Sequence, residues 1–205
     1  RPRRWQKSAA YPSPPHKAGS PAPARRGCSR LDDADARDRL DETQSMTFDF
    51  VREATAADRG LLARATLDNL NWNGQRFTMR EVEDTPHFRH YYNDWPRDED
   101  FGLVAEDADR MVAAVVWLRY FTAQDPGYGF VADTIPELSI WVGAEYRGQG
   151  IGGLLLHRIS ETARSRGVAA ISLSVEDGNL AARLYARHGF RPAPNGVPGC
   201  LLMEL

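Results

Sequence analysis

Beyond residue 17 the chain contains no lysine: Lys7 and Lys17 are the only two in 205 residues. That excludes a Walker A loop, which needs a lysine after its last glycine, and any Schiff-base chemistry in the body of the protein. Cysteine is almost as scarce. Cys28 and Cys200 stand far apart and make no CxxC pair, so no disulfide framework or cysteine metal site is expected. The pattern points to a reducing, cytoplasmic setting. Long apolar runs are missing too, and none approaches the roughly 18 residues that read as a membrane span. No membrane partner is expected.

Charge is unevenly spread. Residues 1–30 hold eight Lys/Arg, six prolines and no acid, while residues 31–42 hold six acids against two arginines. Neither stretch has hydrophobic periodicity, so 1–45 is expected to be a disordered N-terminal extension. An arginine-rich, acid-poor head resembles a transit peptide in composition, but its prolines break up an amphipathic helix. An extension ahead of a domain at 46–205 is the preferred reading, with Met46 directly before the first strand-like run. Residues 43–205 carry 16 basic and 22 acidic side chains, a net charge of −6. A mildly acidic body does not suit nucleic acid.

Along that body, "TFDFVREA" (47–54) alternates like a strand. Thr55 and Asp58 form a capping box for a helix carrying Leu61, Leu62 and Ala65. Residues 78–92 read as a second, weaker helix. The segments 101–107 and 110–121 read as a hairpin turning at Asp107-Ala108-Asp109. A Gly/Pro/aromatic loop at 122–134 leads to the strand "ELSIWV" (137–142). A helix at about 150–166, a strand at 169–175, a short helix in "NLAARLYARHG" and the closing strand "CLLMEL" complete a mixed α/β single domain without internal repeat.

The segment "EYRGQGIGGLLL" (145–156) places four glycines at the mouth of a helix, behind an arginine. Glycine there costs backbone entropy, so a ligand that must approach bare backbone is expected, and a phosphate fits a helix N-terminus. Gly148, Gly150 and Gly153 spell GxGxxG, with Glu176 at a later strand end, which is the dinucleotide fingerprint. Against it, five residues separate the strand from the first glycine. The motif also lies in the last third of the chain, and an antiparallel hairpin precedes it.

Spelled instead as Arg147-x-x-Gly150-x-Gly152, the loop resembles the acyl-CoA motif of the GNAT superfamily of N-acetyltransferases. The match continues through Asn179 to "LYARHGF", with Tyr185, Gly189 and Phe190. It covers about 46–205 and is strongest from 137 to 191. The resemblance implies one GNAT-like α/β domain with a mixed, centrally splayed sheet flanked by helices. Acetyl-CoA would be the cosubstrate, its arm entering between the strands at 137–142 and 169–175. Its pyrophosphate would meet the backbone of Arg147, Gly148, Gln149, Gly150, Ile151, Gly152 and Gly153. Ile140, Trp141 and Val142 would bind the arm and thioester through their backbone, and Asn179 would either touch coenzyme A or cap the following helix. Glu137 resembles the family's base, and Tyr185 is the candidate acid for the departing thiolate.

The implied reaction is acetyl transfer to an amine in a ternary complex, with no cysteine near the motifs to form an acyl-enzyme. The acceptor is a small-molecule or peptide amine, and a homodimer is left open. A dinucleotide-dependent oxidoreductase and a noncatalytic acyl-CoA-binding regulator are the alternatives. Tyr91, Tyr92 and Trp95, with the loop at 122–134, either wall the acceptor pocket or belong to the core. His87 and His90 have HxxH spacing but no third ligand evident in the sequence, so they are read as solvated or core histidines and no metal is expected.

Overall fold

Residues Val112–Arg119 (VAAVVWLR) form a strand whose seven residues from Ala113 to Arg119 are buried. Such a continuous apolar run, rather than an alternating one, marks a strand covered on both faces. The computed structural model of the chain describes residues 50–205. The boundary expected at 45/46, the extension before it and the start of the first strand at 47–49 lie outside the described residues.

In chain order the elements are β1 (Phe50–Glu53), α1 (Arg59–Leu70), α2 (Met79–Asp84), α3 (Pro86–Arg89), β2 (Phe101–Glu106) and β3 (Val112–Arg119). They continue with β4 (Glu137–Val142), α4 (Ile151–Ser165), β5 (Ala170–Ser174), α5 (Ala181–Arg187), β6 (Arg191–Pro192) and β7 (Cys200–Glu204). Seven strands form one sheet in the order β1-β2-β3-β4-β5-β7-β6. Every neighbouring pair is antiparallel except β4 and β5. Those two run parallel and register at a single pair, Glu137 with Ser172. The Ser172 N–H donates to Pro136 O at 3.0 Å just ahead of it. Past this point the sheet opens, as the splayed arrangement requires.

One face of the sheet packs against α4 and α5, burying Leu138, Ile151, Leu155, Leu156, Ile159, Ile171, Leu173, Tyr185 and Phe190 among others. The other packs against α1 and α2 through Leu61, Leu62, Ala65, Val82, Val115 and Trp117. No helix among the described residues is long and apolar enough to cross a membrane.

Two local expectations are corrected. The single helix at 78–92 is two short ones, because Pro86 follows Thr85, which is extended (φ −95°, ψ 109°), the conformation favoured before proline. The β2–β3 turn is also longer than expected. Asp107 Oδ1 accepts from the N–H groups of Asp109 and Met111, both at 2.9 Å, and Arg110 is left-handed (φ 64°), so β3 starts at Val112. The capping box at Thr55 is present, with the Thr55 N–H donating to Asp58 Oδ2 at 2.7 Å. It opens on one 3₁₀ turn, Ala56–Asp58.

Leu155 is fully buried under the sheet. Leu155→Ala should destabilise the fold by about 2–5 kcal/mol in urea denaturation, whereas Leu180→Ala, at an exposed position, should change little. A cost below about 1 kcal/mol at Leu155 would contradict the packing of α4 described here.

Candidate active site

The four glycines of the loop divide into two kinds. Gly148 (φ 79°) and Gly150 (φ 84°) are left-handed, and a Cβ at either would meet nothing within 4 Å. Their role is to turn the backbone while leaving its outer side open. Gly152 and Gly153 are helical, and a Cβ there would press on α5, 3.2 Å from Leu184 Cδ2 and 3.3 Å from His188 Nε2 respectively. Those two glycines are explained by close packing of α4 on α5. The first amide to close onto a carbonyl is that of Leu154, which donates to Gly150 O at 3.1 Å. The amides ahead of it stand at an open helix N-terminus, a ready anion site.

The polar side chains of the loop fasten it in place. Arg147 Nε donates to Val142 O at 3.1 Å, and Gln149 Nε2 to Glu145 O at 2.8 Å. Tyr146 is buried, and its hydroxyl donates to Asp107 Oδ2 at 2.5 Å, tying the loop to the β2–β3 turn. Ile151 opens α4 and is buried in the core. Asn179 Oδ1 accepts from the Ala181 N–H at 3.0 Å, so its side chain caps α5.

On the opposite face, the end of α1 grips β4. Asn69 Nδ2 donates to Ile140 O at 3.1 Å, and Trp141 Nε1 donates to Asp68 Oδ2 at 2.8 Å. Neither Asp68 nor Asn69 was singled out from the sequence, because nothing in a helix interior marks a contact 70 residues away. Glu176, the acid that a dinucleotide ribose would need, is engaged instead by Trp72 Nε1 at 2.6 Å and by Arg76 at 3.1 Å.

Glu137 is the centre of the arrangement. It is 3% exposed, at the one residue where β4 and β5 register. Tyr91 Oη donates to Glu137 Oε1 at 2.9 Å and accepts from the Tyr128 N–H at 2.7 Å. The loop at 122–134 lays bare backbone on the carboxylate: a Cβ on Gly127 would sit 2.1 Å from Glu137 Oε2. One on Gly129 would sit 2.4 Å from the carbonyl carbon of Leu173. Burial is the dominant influence and pushes the Glu137 carboxyl up to about 7, against weaker opposing pulls from the Tyr91 hydroxyl and the Gly129 N–H. The Gly129 amide faces the carboxylate without an aligned hydrogen bond, and Oε2 has no hydrogen-bond partner. Burial and the charge of Glu137 also hold the Tyr91 phenol far above its ordinary range.

Of the three aromatics considered for the acceptor wall, only Tyr91 touches Glu137. Tyr92 and Trp95 lie in the core under α1 and α2. Tyr185 is buried in the α4/α5 core, with its ring 5.8 Å from that of Phe190 in edge contact. Burial pushes its phenol up to about 12. Its hydroxyl makes no hydrogen bond among the described residues and is not sealed from solvent. Glu137 and Tyr185 thus lie on opposite faces of the sheet. The expectation that no cysteine lies near the motifs is corrected. β7 brings Cys200 opposite Ser174, and its Sγ donates to Gly129 O at 3.4 Å. Burial, with a smaller contribution from the charge of Glu137, pushes the thiol up, and such a thiol is a poor nucleophile at neutral pH.

The acetyltransferase (GNAT) family model matches residues 66–190. The chain belongs to the GNAT family. Streptothricin acetyltransferase of Streptomyces lavendulae is 29% identical over 161 residues, 72% of this chain and 84% of that protein. N-alpha-acetyltransferase 30 of Schizosaccharomyces pombe is 31% identical over 104 residues, 50% of this chain and 63% of that protein. Among solved structures, PaiA N-acetyltransferase of Thermoplasma acidophilum in complex with coenzyme A superposes with a TM-score of 0.55 at 16% identity. That alignment covers 76% of this chain and 98% of the other. The chain is accordingly a GNAT acetyltransferase, and the oxidoreductase and noncatalytic-regulator alternatives fall away.

The raised Glu137 pKa has a consequence for stability. Between the ordinary carboxyl range and about 7, the folded chain keeps a proton that the unfolded chain has already released. Stability is therefore full below that interval and declines as pH rises through it. Glu137→Gln cannot ionise, so its melting temperature relative to the parent should climb from pH 5 to about pH 7 and level off above it. The full change is on the order of 1–3 kcal/mol. An offset that does not vary with pH would contradict a buried carboxyl of raised pKa.

Proposed function

We propose that the protein transfers an acetyl group from acetyl-CoA directly to an amine, with Glu137 as general base and Tyr185 as general acid. The observation that carries this reading is Glu137, a sealed carboxyl with its pKa pushed to about 7 at the point where β4 and β5 part. A base poised near the working pH balances availability against strength. The demand is real. An alkylamine of pKa about 10.4 is neutral in only about one molecule in 2,500 at pH 7, a deficit of about 4.6 kcal/mol.

In the proposed reaction the neutral amine nitrogen attacks the thioester carbonyl carbon. Its surplus proton passes to Glu137, which requires the loop at 122–134 to move off the carboxylate as the acceptor binds. The Val142 N–H stabilises the developing oxyanion. The carbon–sulfur bond then breaks, and the coenzyme A thiolate takes its proton from Tyr185. The two faces of the sheet divide the work: Glu137 serves the acceptor on the α1 side, and Tyr185 serves the leaving group on the α4/α5 side. The pyrophosphate rests on the open amides around Gly148 and Gly150, with Ile140 to Val142 alongside the arm. Gly152 and Gly153 act indirectly in this scheme, by letting α5 bring Tyr185 close, and Asn179 acts by capping that helix. The thiol of Cys200, pushed up by burial, favours direct transfer over an acyl-enzyme. The acceptor class stays broad, spanning small amines and peptide amines.

A screen of amines with detection of released thiol tests the activity, and Tyr185→Phe tests the acid. Loss of one oxygen should leave stability nearly unchanged and lower kcat by about 10²–10⁴ where chemistry limits the rate. The KM for acetyl-CoA should hardly move. A fall of less than about threefold would make Tyr185 a packing residue, and a large rise in KM would make it a cofactor contact.

A further inference from the structure

Three metal-ligand side chains converge at the edge of the loop that covers Glu137. His87 lies on α3, His90 caps its C-terminal end, and Asp125 belongs to the loop at 122–134. One donor atom from each lies within 4.8 Å of the other two. The HxxH spacing sets the two imidazoles side by side on one helical face, with ring centres 4.8 Å apart. Asp125, distant in sequence, supplies the third group that the spacing alone lacked. His90 Nδ1 meets Asp125 Oδ1 at 2.9 Å; two ligands on a tetrahedral ion with bonds of about 2.1 Å stand about 3.4 Å apart, so an ion would replace this hydrogen bond and part the two groups slightly.

A second observation concerns how firmly the rings are held. The His90 side chain is nine-tenths buried, yet its Nε2 has no hydrogen-bond partner. Its other nitrogen, Nδ1, faces Asp125 and is the one a metal in the cluster would take, since the two nitrogens of one imidazole diverge and cannot share an ion. The rings are also held in place. His90 packs 4.5 Å from Phe121 and 4.7 Å from Tyr91, and His87 packs 4.7 Å from Tyr128. Burial lowers the pKa of both histidines, which favours the neutral imidazoles that bind metal. The groups facing them are Asp125, which adds negative charge, and Arg119, whose charge is met by Asp100 at 3.6 Å. Asp125 is mostly exposed, so one side of the cluster is open to water.

We propose that His87, His90 and Asp125 form a binding site for one divalent transition cation of the zinc type. Two imidazoles and one carboxylate suit zinc and its neighbours and do not suit magnesium or calcium, which take oxygen shells. The bound ion would strap α3 to the loop over Glu137, leaving a fourth position to water. Its binding does not depend on the catalytic roles of Glu137 or Tyr185.

The test uses the untagged full chain, stripped with chelator and titrated with zinc sulfate in a calorimeter. One equivalent should bind. His87→Gln and Asp125→Asn should each weaken that binding at least tenfold, and the metal-free melting temperature of Asp125→Asn should stay near the parent's because that side chain is exposed. Zinc at about 100 times its Kd should raise the parent's melting temperature by several degrees and leave a variant carrying both His87→Gln and Asp125→Asn unmoved. As a readout on the parent alone, zinc should shift the ring NMR signals of His87 and His90 and spare those of His157 and His188. Binding of equal strength in parent and variants, or shifts confined to other histidines, would place zinc elsewhere and overturn the site. A folded parent that takes up no zinc at millimolar concentration would reduce the cluster to a hydrogen bond between His90 and Asp125.

Discussion

A carboxyl group sealed from water at the parting of two parallel strands governs the architecture around it. An isolated carboxylate in apolar surroundings is strongly disfavoured, so Glu137 must hold its proton to a higher pH or find donors. It does both. Tyr91 reaches it from the segment after α3, held in turn by the Tyr128 amide, and burial carries its pKa to about 7. The loop at 122–134 excludes water by laying glycine backbone over the site, and the 2.1 Å separation available for a Cβ at Gly127 leaves no room for any other residue. The aromatic segment at 88–95, the glycine-rich loop and the single β4–β5 register are therefore parts of one constraint.

The glycine loop follows a different logic. Its first two glycines buy nothing in packing, since a Cβ there would meet open space. Their left-handed backbone turns the chain so that α4 begins with its amides outward. Its last two glycines have ordinary helical geometry and face α5 closely. One short motif thus orients an open helix N-terminus and sets the distance between two helices. The proposed base and acid belong to opposite faces of the sheet, joined only through the gap between β4 and β5.

Much of this was legible in the residues. The unbroken apolar run of β3, the capping box at Thr55 and the glycines before α4 each impose local geometry, and the family resemblance drew on spacing from Arg147 to Phe190. What escaped was long-range. Asn69 and Asp68 look like ordinary surface residues of α1 until β4 is laid beside them. Cys200 seemed remote because β7 follows the motifs by some distance in the chain, yet it lies next to β5 in the sheet. Asp125 sits 35 residues beyond His90 and meets it only because the loop folds back over α3. The break at Thr85 was readable from Pro86, whereas the helical pattern at 78–92 hid it. Gly127 and Gly129 were visible as loop glycines, but their reason, contact with Glu137 and Leu173, exists only in three dimensions.

The pH dependence of kcat/KM, measured with any amine that supports turnover, tests the central role of Glu137 most directly. With an acceptor whose own ionisation lies well outside the range, the parent's profile should rise to a plateau through an ionisation near 7, set by the free enzyme's base. Glu137→Gln should lose that ionisation together with most of the rate. A profile with no ionisation between about pH 6 and 8, or one that survives unchanged in Glu137→Gln, would contradict the assignment of this buried carboxyl as the base.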